Sequence, residues 1–214
     1  MENWILREQG FNPRKIFDNG NKFMTGNGYM GYRGTLEEYR KEHLTACILS
    51  GLYDKVGDKW REPVNAPNTM YLKIFCDGNE ISLLTREPAR HNQILNIRNG
   101  VHRRETLYML PDGNMIEVSS ERFASMDDIH LMCMKYEFSV SRDCLVTIET
   151  GIDGDVWDIN GPHLENYQYS NISDTLVLHA TTHELKIPVV TAELCHHNLG
   201  AEEIVQDGKS YLRR

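Results

Sequence analysis

The chain is cut into short segments by dipeptides that favour tight hairpin turns. Asp-Gly occurs at Asp77, Asp112, Asp153 and Asp207, and Asn-Gly at Asn19, Asn27, Asn99 and Asn160. Such pairs adopt the left-handed backbone that a two-residue hairpin turn requires. Between them, side chains alternate with a period of two. Met132, Met134, Tyr136, Phe138 and Val140 share one face of an extended segment, and Lys135, Glu137 and Ser139 share the other. The same texture runs through residues 71–76 and 80–83 on either side of Asp77-Gly78, and through 109–123 around Asp112-Gly113. Residues 145–150, 175–180 and 187–194 continue it. Short alternating strands with no long amphipathic helix among them predict an all-β antiparallel sandwich or barrel and exclude a βαβ architecture.

The remaining stretches are less regular. Residues 1–22 mix charges with Asn, Gly and Pro13 and read as an irregular entry with one short strand. Thr35-Leu36-Glu37-Glu38 has the form of a capping box opening a short helix. Residues 54–67, with Gly57, Pro63 and Pro67, read as a loop.

One stretch concentrates glycine. Gly26-Asn27-Gly28-Tyr29-Met30-Gly31-Tyr32-Arg33-Gly34 holds four glycines in nine residues. Such density calls for positive φ angles or for close approach of another group. Gly26, Gly28 and Gly31 spell G-x-G-x-x-G, but the dinucleotide fingerprint needs a strand before it and a helix opening at its end. Here turn-like residues 17–21 precede it and Tyr32-Arg33-Gly34 follows. A glycine-rich hairpin with Asn27-Gly28 at its turn fits better. Its aromatic and basic side chains either complete the turn or face a ligand or another domain.

Composition sets outer bounds. The 214 residues are 40% hydrophobic and 25% charged, an ordinary globular balance. A net charge of −8 argues against nucleic-acid partners, which require a basic face. Five cysteines, odd in number and without C-x-x-C spacing, fit reduced thiols in a cytoplasmic protein. The first residues lack the basic and apolar regions of a signal peptide, and no apolar run approaches the length of a membrane span.

Several groups are candidates for chemistry. Glu37 and Glu38 are adjacent, so on a strand they point to opposite faces. Cys195-His196-His197 lies near His179 and His183 in sequence, yet no zinc spacing appears, and no metal site is expected. Arg103-Arg104 and Arg213-Arg214 read as solvated charges. The richest polar loop carries Asp153, Asp155, Trp157, Asp158, Asn160 and His163. It falls short of an EF-hand, and stands either as a structural turn or as a contact for a partner domain or a sugar.

Residues 23–38, FMTGNGYMGYRGTLEE, resemble the signature near the start of glycoside hydrolase family 65. Pro63-Val64-Asn65-Ala66-Pro67-Asn68, Arg103-Arg104-Glu105, Ser120-Glu121-Arg122-Phe123, Thr150-Gly151-Ile152-Asp153-Gly154-Asp155-Val156 and Gly161-Pro162-His163-Leu164 resemble further family blocks in order. The likeness runs from about Trp4 to Leu164, and residues 151–164 read closest to kojibiose phosphorylases. The resemblance implies a large antiparallel two-sheet super-sandwich of galactose-mutarotase-like type, forming a single N-terminal domain over residues 1–214. It places the general acid, the phosphate site and most sugar contacts of these inverting disaccharide phosphorylases in a following (α/α) barrel domain. No catalytic residue is therefore expected in this chain, and no cofactor beyond inorganic phosphate as the parent's co-substrate. The expected partners are that barrel, a second copy in a homodimer, and carbohydrate. Asn27, Tyr29, Arg33, Asp153, Asp155, Trp157 and His163 are the candidates for the domain interface or substrate entrance. The alternatives are a free-standing carbohydrate-binding module and a mutarotase-like epimerase, the latter needing a histidine and a glutamate converging in a concave sheet.

Overall fold

The computed structural model describes residues 4–200, 202–207 and 210–213, the last four as backbone only. Extended structure dominates. In chain order the first strands are β1 (Ile5–Gln9), β2 (Thr25–Gly26), β3 (Met30–Tyr32), β4 (Cys47–Asp54), β5 (Glu62–Asn65), β6 (Asn68–Cys76), β7 (Asn79–Ile81) and β8 (Arg90–Asn96). They continue with β9 (Val101–Met109), β10 (Met115–Ala124), β11 (Met132–Val140), β12 (Val146–Asp153), β13 (Leu164–Ile172), β14 (Thr175–Thr182), β15 (Pro188–Leu194), β16 (Ile204–Asp207) and β17 (Ser210–Arg213). Among the described residues the one α-helix is α1 (Ile16–Lys22), and no helix is long and apolar enough to cross a membrane. The chain divides into two compact units, one of residues 1–36 and 73–147, the other of 37–72 and 148–214.

The first unit is built on a five-stranded antiparallel sheet ordered β1-β8-β9-β10-β11. Its period-two pattern sends Arg103, Glu105, Glu117 and Glu121 outward and buries His102, Arg104, Thr106, Tyr108, Ile116, Val118, Ser120 and Arg122. The buried face is unusually polar, so its donors need acceptors. Arg104 donates from Nε to Thr106 Oγ1 at 2.9 Å and from Nη2 to Tyr108 Oη at 2.8 Å. Arg122 lies over the Tyr32 ring, 4.8 Å from its centroid, and donates to the carbonyls of Arg33 and Thr35.

The second unit contains the antiparallel sheet β13-β14-β15, the β4–β5 hairpin and the β12–β17 and β16–β17 pairs. Leu176, Leu178 and Ala180 alternate along β14 and enter one apolar core with Leu52, Val64, Ile152, Leu164 and Val189. The all-β antiparallel class expected from the alternation is what forms, as open sheets rather than a barrel.

The turns follow their chemistry. Asp77 and Gly78, with φ of 49° and 76°, close β6 onto β7, and Gly100 (φ 68°) closes β8 onto β9. Gly208 of the Asp207-Gly208 pair lies outside the described residues. Asn19-Gly20 departs from expectation by lying inside α1. Asn12 accepts a hydrogen bond from Arg14 N and Pro13 pre-sets the first turn, starting a short 3-10 segment that runs into the helix. Gly20 serves packing there, since a Cβ would sit 2.7 Å from Arg33 Nη2. Three other readings change. β5 interrupts the loop expected over 54–67, β13 was not legible, and no helix opens at Thr35, the next helical turn being a 3-10 segment at Lys41–His43. Residues 35–38 are all buried, which leaves no solvent face for an amphipathic turn.

The glycine cluster is a hairpin. Gly26 pairs with Gly31, and Asn27 N donates to Met30 O at 3.1 Å. Asn27 Oδ1 accepts from Tyr29 N and Met30 N at 3.1 and 2.9 Å, fixing the turn in which Gly28 takes φ +89°. Both reasons for glycine are present, because a Cβ on Gly34 would lie 2.6 Å from the Phe23 carbonyl carbon. Gly28→Val should cost more than about 1 kcal/mol through the left-handed backbone. Gly34→Ala should cost about 1–3 kcal/mol, since backbone must shift to admit the methyl group. Thermal unfolding measures both, and an unchanged melting temperature in either variant refutes that glycine's role.

Candidate functional site

The most concentrated polar chemistry lies in the second unit. Asp54 ends β4, Glu62 begins β5, and the two are register partners. Strand alternation puts Asp54 on the face of Leu52, and Glu62 on the face of Val64, so both carboxylates point inward beside the core. His163 enters between them from the segment before β13. Its Nδ1 lies 3.0 Å from Asp54 Oδ2 and its Nε2 lies 2.7 Å from Glu62 Oε1. The three side chains are 0–1% exposed.

Both ring nitrogens face acceptors, so the imidazolium alone can donate in both directions. Burial by itself would lower the His163 pKa, but the hydrogen bonds to Glu62 and Asp54 outweigh it and hold the ring above its ordinary value. Burial likewise tends to raise Glu62, yet hydrogen bonds from Asn160 N, His163 and the Asn160 side chain hold it below the usual range. Asn160 supplies two of these, N to Oε1 at 2.8 Å and Nδ2 to Oε2 at 2.6 Å. Asp54 Oδ1 accepts from Glu184 N at 2.8 Å, and Asp158 Oδ2 accepts from His163 N at 3.2 Å. Burial pushes the Asp158 carboxyl up. A histidine and a glutamate thus converge, but sealed from solvent they reach no substrate. The arrangement is a clamp that fixes the loop ahead of β13.

The rest of that loop is held by charge. Arg40 Nε donates to Asp153 Oδ2 at 2.7 Å, and Lys41 Nζ to Asp155 Oδ2 at 2.5 Å. Hydrogen bonding to Asp153 raises the Arg40 pKa, as bonding to Asp155 raises that of Lys41. The Trp157 carbonyl accepts from Asn65 Nδ2, and the indole is half-buried, not spread on the surface. Asp153, Asp155, Trp157 and His163 are therefore brought together in one braced loop.

Asn27, Tyr29 and Arg33 form a second group, in the first unit. Asn27 Nδ2 donates to Ser125 O and Ile129 O at 2.6 and 3.0 Å, tying the hairpin to the loop after β10. The Tyr29 ring meets His130 edge-on at 4.4 Å between centroids. Arg33 Nη2 donates to Phe17 O at 2.8 Å, and burial lowers its pKa. Met24, Met126 and Ile129 are exposed beside this group, Met126 to 76%.

Other sequence candidates do not assemble. His197 Nε2 pairs with Glu202 Oε2 at 2.9 Å. Arg103 is solvated as expected, paired with Glu105 and Glu121 at 3.1 and 3.2 Å, but Arg104, its neighbour on the opposite face of β9, is buried and not solvated. All five cysteines are free thiols. Sequence reasoning missed Asp54, Glu62, Arg40 and Lys41, the partners of the polar loop. The available signal was Glu62 two residues before Val64, an acid continuing an apolar face.

The family model for the glycosyl hydrolase family 65 N-terminal domain matches residues 6–211. A nigerose phosphorylase of Lachnoclostridium phytofermentans is 39% identical over 99% of this chain, which corresponds to 31% of that protein. A 1,2-alpha-glucosylglycerol phosphorylase of Bacillus selenitireducens is 32% identical over 94% of this chain and 26% of its own length. The chain thus spans about a third or less of these relatives. A solved structure described as a kojibiose phosphorylase from the human microbiome superposes with a TM-score of 0.86 at 18% identity, covering 98% of this chain and 29% of that one.

The clamp makes stability depend on pH. The raised His163 contributes fully below its unfolded value of 6.5, and that contribution fades as pH climbs through the folded value. The lowered Glu62 contributes fully above 4.5 and loses its effect as pH falls through the folded value. Both act between those limits. His163→Gln should cost about 3–5 kcal/mol by stranding two buried carboxylates. The gap in melting temperature between protein and variant should be widest inside that window and narrow above it. A gap that stays constant into alkaline solution shows that the ring is not an imidazolium.

Proposed function

The chain belongs to the family of glycosyl hydrolase family 65 N-terminal domains, and from that premise we propose that it serves as the non-catalytic sandwich domain of a larger inverting disaccharide phosphorylase. The whole enzyme converts an α-glucosyl disaccharide and inorganic phosphate into β-glucose 1-phosphate and a free sugar. The observation that carries this reading is coverage: 99% of the chain aligns with a phosphorylase of which it makes up only 31%.

The chemistry is consistent with that division of labour. Inverting cleavage needs an acid that reaches the leaving oxygen while the nucleophile arrives from the opposite face. In a phosphorylase, phosphate is that nucleophile. The His163, Asp54 and Glu62 side chains are walled off from solvent, which suits support and not proton transfer. As one domain of the enzyme, the chain packs against the catalytic barrel, helps wall the substrate entrance and takes part in a homodimer in the cytoplasm. The Asn27–Tyr29–Arg33 hairpin, with the exposed apolar side chains Met24, Met126 and Ile129 beside it, supports its role as a docking face. The loop holding Asp153, Asp155, Trp157 and His163 supports a second contact, because ion pairs and the clamp hold it in one shape.

With phosphate and nigerose, kojibiose or maltose, the purified 214-residue chain should release no glucose 1-phosphate. Calorimetric titration with the same sugars should show no binding at millimolar strength or better. Phosphate-dependent product would overturn the proposal, and millimolar sugar affinity would favour the carbohydrate-binding module.

A further inference from the structure

At the end of β6 two cysteines and an aspartate meet. Cys76 is buried as the last residue of β6, Asp77 opens the turn, and Cys144 lies two residues before β12. Cys76 Sγ lies 3.9 Å from Asp77 Oδ2, and one donor atom from each of Cys76, Asp77 and Cys144 falls within 4.8 Å of the others. The backbone fixes this convergence. Asp77 N donates to Leu145 O at 2.8 Å, and Leu145 N donates back to Asp77 Oδ1 at 2.9 Å. Asp77 holds φ +49° within that clip, so its side chain is set by the turn.

The donor set is specific. A tetrahedral zinc ion with Zn–S near 2.3 Å and Zn–O near 2.0 Å separates its ligand atoms by about 3.5–3.8 Å, close to the 3.9 Å between Cys76 Sγ and Asp77 Oδ2. Two sulfurs with one carboxylate oxygen favour zinc over the hard cations calcium and magnesium. One oxygen of Asp77 is held by the Leu145 amide while the other faces the sulfur, the division of labour by which second partners orient a ligating carboxylate. Asp112 adds a nearby negative charge. The half-buried Cys144 gives a cation its way in.

We propose that Cys76, Asp77 and Cys144 form a zinc site, with two thiolates, one carboxylate oxygen and a water completing a tetrahedron. Each thiol gives its proton to solvent as its Zn–S bond forms, and nothing is oxidised or reduced. The ion pins the β6–β7 turn to the segment entering β12 and acts as a staple within the first unit.

Cobalt(II) titration of the reduced full chain tests this, followed by displacement with zinc. One equivalent should produce sulfur-to-cobalt charge transfer in the near ultraviolet together with the visible bands of a tetrahedral ion. Zinc should bleach both and raise the melting temperature. Cys144→Ser and Asp77→Asn should each weaken binding beyond the roughly 10–100-fold typical of losing an outer-shell partner. Circular dichroism on both variants checks that the fold persists. Absence of the charge-transfer band overturns the proposal, as does a cobalt affinity in Cys144→Ser equal to that of the unchanged chain. A chain whose two thiols oxidise to a disulfide in air, while the reduced form takes up no cobalt, overturns it as well.

Discussion

Two carboxylates carried into a protein interior by neighbouring strands must find a cation or lose their charge. That requirement organises the second unit. Asp54 and Glu62 are register partners on the β4–β5 hairpin and continue the faces of Leu52 and Val64, so the alternation that builds the core also buries the charges. His163 answers both at once, and the same stretch of chain returns Asn160 to Glu62 and Asp158 to the His163 amide. The loop is therefore shaped by what the core cannot leave unpaired. Its outer residues Asp153 and Asp155 are then fastened by Arg40 and Lys41. A buried ion pair of this kind contributes little net stability compared with apolar packing, but it penalises every alternative path of the loop severely.

The first unit resolves the same problem with cations. Arg104 and Arg122 sit inside the sheet, where hydroxyls and main-chain carbonyls receive their protons, and the Tyr32 ring receives the Arg122 face. Carbonyls can serve in this way only if the chain offering them comes very close. Gly34 lets the chain after β3 run against Phe23 with no intervening side chain. The glycine signature and the buried arginine are thus two halves of one packing solution.

Strands were legible where local pattern decides them. The alternation over Met132–Val140 marks β11 end to end, and Asp77-Gly78 and Asn99-Gly100 close the hairpins that their chemistry demands. The all-β class followed from those elements, and the family from motifs spread along the chain. What escaped notice depends on partners distant in sequence. His163 was visible as a loop residue, but Asp54 and Glu62 lie 109 and 101 positions away, and nothing local announces them. β13 is mostly polar, and its turn uses Ser173 and Asp174, both left-handed, in place of a glycine. Asn19-Gly20 misled because helix start signals at Asn12 and Pro13 outweigh a turn dipeptide.

Among the described residues, β11 is the terminal strand of its sheet, nine residues long and without proline. One row of its amides and carbonyls consequently looks outward, a template on which a strand of another chain can continue the ladder. Lys135 and Glu137, paired at 2.8 Å, place charges along that margin and discourage a neutral intruder. Their replacement by uncharged residues would strip that guard from the edge at almost no loss of stability, because an exposed ion pair contributes so little.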